Sequence, residues 1–226
     1  MASELVGEGA HGRAGGSQPL YAEQVRYTSR VTRTRRLLQS FFARSALEVA
    51  HDLIGGTLLH TGVGGRIVET EAYAATDPCS HSFRGQTPRN AVMFGPPGHL
   101  YVYFTYGMHF CANVSCEAEG VGAAVLFRAL EPTHGADQMV SRRGRDEPRL
   151  LCSGPARLTQ ALGIGREHNG LPVWKPPLTI LPRPSATAPR IVTTPRIGVG
   201  GDPRPWRFVD ARSAFLSRPL PRSARR

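Results

Sequence analysis

Arg66-Ile67-Val68-Glu69-Thr70-Glu71-Ala72-Tyr73 decides how this chain is read. It has the composition of a β-strand. Strand side chains alternate, so Ile67, Glu69, Glu71 and Tyr73 are expected on one face and Val68, Thr70 and Ala72 on the other. The second face is small and apolar, as a core requires. The first starts apolar and ends acidic and aromatic, and an unpaired carboxylate is costly to bury. Glu71 and Tyr73 are therefore expected where the strand leaves the core and opens into a pocket. A carboxylate paired with an arginine at a sheet edge is the competing reading.

Upstream, Leu37–Leu53 has helical apolar spacing with a break near Phe42, Ser45 as a candidate cap, and a stop at Gly55-Gly56. Thr57–His60 reads as a strand joined to Arg66–Tyr73 by a turn at 62–65. Downstream, 74–98 is a long proline-bearing loop containing His81, and loops of this length are usually functional or disordered. His99–Thr105 and His109–Ser115 read as a hairpin with Tyr106-Gly107-Met108 at its turn. Tyr106 at such a tip either folds back onto the sheet or serves as a wedge for another molecule. Gly122–Ala129 reads as a third strand. Gly135–Arg142 and Pro155–Leu162 read as helices, the second with proline in its first turn. Arg166–Thr194 is proline-rich and reads as a surface loop, and Arg196–Val199 and Arg207–Val209 as short terminal strands.

The chain has 226 residues, enough for one domain with a sizeable core. We expect a basic, disordered tail over 1–36, a domain over 37–217 and a basic tail over 218–226. The net charge is +11. Residues 1–36 hold six arginines and three glutamates, or +3, which leaves 22 − 14 = +8 on the remainder. A polyanion is the expected partner of such a surface. No apolar run could span a bilayer and no apolar leader opens the chain, so a cytoplasmic protein that does not engage membranes is expected. Cys79, Cys111, Cys116 and Cys152 form no C-x-x-C pair and read as buried free thiols, with no metal site and no cofactor expected.

Seven motifs stand in order: Arg66–Tyr73, Gln86-Thr87-Pro88-Arg89-Asn90, Gly98–Tyr103, Tyr106-Gly107-Met108, Arg128-Ala129-Leu130-Glu131-Pro132, Leu151-Cys152-Ser153-Gly154-Pro155 and Arg196-Ile197-Gly198-Val199-Gly200. Together they resemble the alkyladenine (3-methyladenine) DNA glycosylases, the single-domain type related to the mammalian N-methylpurine enzyme, from about Leu38 to about Ser217. The resemblance implies a mixed α/β (α+β) domain with a curved, mainly antiparallel sheet, flanking helices and a protruding β-hairpin. It implies a monomer that acts on double-stranded DNA containing damaged purines and needs no cofactor.

Such an enzyme cuts the bond between a base and deoxyribose, so the base must first leave the stack. The resemblance assigns the general base to Glu71, and has Arg128 and the backbone carbonyl of Val199 hold the attacking water. It places Tyr73, His81 and Tyr103 around the flipped base, with Asn113 as a steric filter beside Leu126, and Tyr106 as the intercalating wedge. Electron-rich rings attract a cationic, N-methylated purine by about 0.5 to 2 kcal/mol. Glu69, on the same expected strand face, is the competing carboxylate. Two other functions remain open: a nucleosidase acting on free nucleosides, which needs no wedge, and a non-catalytic lesion binder, which needs no Glu71.

Overall fold

The computed structural model of the protein describes residues 36–105, 107–186 and 188–220. In chain order its helices and strands are α1 (Gln39–Phe42), α2 (Ala46–Leu53), β1 (Thr57–His60), β2 (Val63–Tyr73), β3 (Leu100–Thr105), β4 (His109–Ser115) and β5 (Ala124–His134). Then come α3 (Ala136–Arg143), α4 (Pro148–Leu151), α5 (Pro155–Leu162), β6 (Trp174–Lys175), β7 (Leu178–Leu181), β8 (Ile191–Thr194) and β9 (Arg207–Asp210). This is a mixed α/β domain built on one curled antiparallel sheet, as expected.

The break before α2 follows from its cap. The Ser45 hydroxyl accepts from the Glu48 N–H at 3.3 Å while the Glu48 carboxylate accepts from the Ser45 N–H at 3.3 Å. This reciprocal pair satisfies two otherwise orphaned donors. Phe42 of α1 and Ala46, Val49, Ala50 and Leu53 of α2 are buried in the core. Pro155 opens α5, where its missing N–H is harmless.

The strands run β3-β4-β5-β2-β1-β7-β6 across the sheet, and every pairing is antiparallel. β2 lies at its centre. One side of β2 pairs along its whole length with β5, while the other pairs first with β1 and then, at Glu69–Glu71, with β9. β9 in turn pairs with β8. The short strands β6, β7 and β8 all come from the stretch 166–194 expected to be a surface loop. Leu178 and Ile180 are buried and alternate with half-buried neighbours, a strand pattern that the flanking prolines hid. β5 runs on to His134 rather than stopping near Ala129. Residues 196–199 are a loop rather than a terminal strand, and β8 and β9 lie on either side of it.

Gly64 and Gly65 correct the expected turn, which is confined to Thr61-Gly62 while both glycines lie within β2. A Cβ on Gly64 would stand 1.9 Å from the Leu58 carbonyl oxygen, and one on Gly65 would stand 2.0 Å from that of Glu131. The crossing of β1, β2 and β5 is too close for any side chain, so these glycines mark strand contact, not a turn.

A second correction concerns the faces of β2. Ile67 opposes Leu130, Glu69 opposes Ala129 and Thr70 opposes Phe127. Val68 is therefore one extra residue on β2, and Arg128 one extra on β5. A bulge of this kind shifts the alternation by one. Ile67 packs into the same core as Ala72, and Thr70 donates to the Ala50 carbonyl at 2.8 Å. Glu69, Glu71 and Tyr73 remain together on the other face, without Ile67.

β3 and β4 pair from Leu100↔Val114 to Thr105↔His109. Tyr106, in the hairpin turn expected to protrude, lies outside the described residues, as do residues 1–35 and 221–226 of the expected tails. Within 218–220, Leu220 is buried. No described helix is long and apolar enough to cross a membrane.

Candidate active site

Burial of Glu69 and Glu71 is complete, at 0% exposure for each, so their partners decide what they can do. The Glu69 carboxylate accepts from Arg207 Nε at 2.7 Å, Arg128 Nε at 3.1 Å, and the Ser217 N–H and hydroxyl at 2.6 Å each. Burial alone would push this carboxyl up, but Arg207, Arg128 and Ser217 outweigh it and hold it below the usual range. Three of these bonds fall on Oε1 and one, from the Ser217 N–H, on Oε2, so two guanidinium groups and Ser217 hold Glu69 in place.

Glu71 is held differently. Its Oε2 accepts from the Tyr73 hydroxyl at 2.9 Å and from Arg128 Nη1 at 3.2 Å. Its Oε1 accepts a single bond, from the Ile197 N–H at 2.8 Å. A carboxylate oxygen has two lone pairs, so Oε1 retains one. The bulge at Arg128 is what lets one guanidinium reach both carboxylates. Burial lowers the Arg128 pKa, and Glu71 and Glu69 more than restore it.

In front of this group lies a cavity of about 520 Å³, a size suited to a small organic ligand. Tyr73, Arg128 and Ile197 form the wall beside Glu71, and Val199 lines the cavity nearby. Val199 accepts a long hydrogen bond from the Cys79 thiol at 3.7 Å. His81, Tyr103, Asn113 and Leu126 line the same cavity. Apart from Tyr106, and from Glu71, which is fully buried beside Tyr73, Arg128 and Ile197, the expected residues line one space.

The pocket rings are braced. His81 Nδ1 lies 2.9 Å from the Tyr101 hydroxyl, and its ring meets Tyr103 edge to face with centroids 4.5 Å apart. Burial, then the charge of Arg89, pulls the His81 pKa down and favours the neutral imidazole. The Gln86–Asn90 motif has a structural task here. Asn90 donates to the carbonyls of His81 at 2.8 Å and Gly85 at 3.1 Å and accepts from the Thr87 N–H at 2.6 Å, fixing the loop that carries His81. Asn113 is itself anchored, donating to the Tyr101 carbonyl at 3.1 Å. Burial first, then the Glu71 charge, raises the Tyr73 phenol, which therefore stays protonated and donates to Glu71.

Several contributors were not visible in the sequence. Arg196 sits 4.5 Å from the Tyr73 ring centroid and 5.2 Å from that of Trp206, donates to the Ala72 carbonyl at 2.9 Å, and pairs with Asp77 and with Asp202 at 2.7 Å. Arg204 ties the same two aspartates together. This network fixes the residue preceding Ile197, whose N–H holds Glu71. The Arg196–Gly200 motif marked the place but not the function of its backbone. Of the four cysteines, all free, Cys79 is half-buried rather than buried and Cys111 faces the cavity. No described cluster of His, Cys, Asp or Glu could hold a metal ion.

Residues 40–214 match the family model described as methylpurine-DNA glycosylase. Among similar proteins, one from Rhodopseudomonas palustris is 59% identical over 187 residues, covering 82% of this chain and 90% of the relative. One from Bradyrhizobium diazoefficiens is 53% identical, covering 82% and 92%, and one from Nitrosospira multiformis is 55% identical, covering 79% and 92%. All three carry the name "Putative 3-methyladenine DNA glycosylase". With a family model spanning most of its length and relatives this similar, the chain belongs to the methylpurine-DNA glycosylase family and is a DNA glycosylase.

Proposed function

We propose that this protein flips alkylated or otherwise damaged purines out of duplex DNA and hydrolyses the N-glycosidic bond with water activated by Glu71, leaving an abasic site. The observation that supports this most strongly is the free lone pair of Glu71 Oε1 on a carboxylate otherwise fixed by Tyr73, Arg128 and Ile197. A water at that lone pair, with the Val199 carbonyl as second acceptor, gives up a proton to Glu71 as its oxygen attacks C1′. Arg128 holds the carboxylate in place. Tyr73, His81 and Tyr103 surround the extruded base, and Asn113, rigid in its bond to Tyr101, supplies a steric filter beside Leu126. Tyr106 fills the gap left in the duplex. The protein acts in the cytoplasm as a monomer, on the domain expected over 37–217, and without a cofactor.

Water is the nucleophile because no lysine lies near Glu71 among the described residues. An imine to C1′ requires an amine that can lose its proton. Lys175, the only lysine, lies in β6, which pairs only with β7, at the far edge of the sheet from the Glu71 end of β2. Arginine stays protonated. Incubation with lesion-bearing duplex and borohydride is therefore expected to trap no covalent adduct, and strands are expected to break only after alkali. A trapped adduct, with Lys175 as its attachment point, would overturn the assignment.

Binding is expected to rest on phosphate contacts. With +8 on residues 37–226, as counted above, affinity for lesion duplex falls steeply with salt, each phosphate contact contributing a log–log slope of about −0.9. Titrations between low and moderate salt check this, and a flat dependence would count against duplex DNA as the partner.

A further inference from the structure

The charges around the cavity do not balance, and the imbalance bears on which base it accepts. Glu69 and Glu71 are matched by Arg128 and Arg207. Asp77 and Asp202 are matched by Arg196 and Arg204. These two closed networks are neutral. The cavity wall carries two more guanidinium groups, Arg89 and Arg218. Neither has a carboxylate partner among the described residues.

Arg89 is the better placed of the two. Its guanidinium carbon lies 6.0 Å from the Tyr103 ring centroid, and its Nη2 is 3.4 Å from the Phe104 carbonyl. Its charge reaches His81 and Tyr101, lowering the pKa of the first and opposing the burial-driven rise of the second. It therefore stands over the rings that would enclose a base. Tyr73 carries a guanidinium as well, that of Arg196. A ring already engaged by one cation has less attraction left for another. An N-methylated purine brings a positive charge into this space, whereas a deaminated purine brings none.

We propose that Arg89 is a specificity-determining residue that disfavours cationic bases and tilts the cavity toward neutral damaged purines, of which hypoxanthine is an example. This rests on the glycosylase function proposed above. Arg89 is exposed, so its replacement leaves the core intact.

The test compares single-turnover release of one 7-methylguanine, a cation, and one hypoxanthine, a neutral base, from otherwise identical duplexes at a fixed ionic strength. In Arg89→Gln the ratio of cationic to neutral release is expected to rise by roughly threefold to tenfold, the scale of one partly screened charge at this distance. In Arg89→Lys, which keeps the charge, the ratio is expected to stay near the wild-type value. If both rates fall together in Arg89→Gln with the ratio unchanged, Arg89 is a phosphate contact and the inference fails while the glycosylase function stands. If the wild-type protein releases neither base, the proposed function fails, and the inference with it.

Discussion

Glu71→Gln is expected to lower base release by about a hundredfold to ten-thousandfold, the usual worth of a positioned general base, while binding to a duplex with an abasic-site analogue changes little. The substitution keeps the shape of the side chain and removes its ability to take a proton. Three donors surround the group, namely the Tyr73 hydroxyl, Arg128 and the Ile197 N–H. A glutamine amide turns its own N–H bonds toward at least one of them, so a stability loss of about 1 to 3 kcal/mol accompanies the change. Thermal melting separates that loss from catalysis. Glu69→Gln is the control. Glu69 is held by two guanidinium groups, Arg128 and Arg207, and by Ser217, so its replacement acts through the position of Arg128 and is expected to cost less activity. A variant pair in which Glu69→Gln is dead and Glu71→Gln turns over would transfer the base role to Glu69.

Arg128→Met is expected to have the largest effect on stability, a loss of about 3 to 5 kcal/mol. Arg128 is buried and bridges two carboxylates that have no exposure at all. Removing it leaves Glu71 without any cation and Glu69 with Arg207 alone. At this chain length, each kcal/mol shifts the melting temperature by roughly 2 to 4 °C. The pH dependence carries a sign that checks the cause. In the wild-type protein the folded pKa of Glu69 is depressed. Its contribution to stability is therefore fully present above the unfolded carboxylate pKa and is lost as the pH falls through the folded value. In Arg128→Met the two carboxylates repel, and protonating one relieves the strain, so the deficit relative to wild type narrows as the pH is lowered toward the carboxylate range. Melting curves from neutral to mildly acid pH decide this. A deficit independent of pH would mean that lost packing, not lost charge pairing, dominates.

Much of the fold was legible because local signals agreed. Ser45 marked the cap of α2, Pro155 the start of α5, and the alternation of His99–Thr105 and His109–Ser115 the β3–β4 hairpin. The misreadings have a common physical origin in features set by contacts distant in sequence. Gly64 and Gly65 look like a turn until the Leu58 and Glu131 carbonyls are seen against them. The bulges at Val68 on β2 and Arg128 on β5 depend on register between strands about sixty residues apart, and no periodicity within either strand announces them. Leu178–Leu181 lay hidden among prolines because its burial comes from pairing with β1. The candidate site divides in the same way. Glu71 and Tyr73 stood out in the sequence by their chemistry, and Arg128 through the resemblance. The Ile197 N–H did not, because a backbone donor has no residue signature. Asp77, Asp202, Arg196 and Arg204 became a network only once 72–79 and 196–206 were folded together.

The most direct test of Glu71-activated hydrolysis is chromatographic detection of free base released from a duplex carrying one damaged purine, with strand integrity followed before and after alkali. The wild-type protein is predicted to release the base and leave an unbroken strand that alkali then cleaves, and Glu71→Gln to bind the same duplex and release almost nothing. Release by Glu71→Gln at a rate close to wild type would contradict the account.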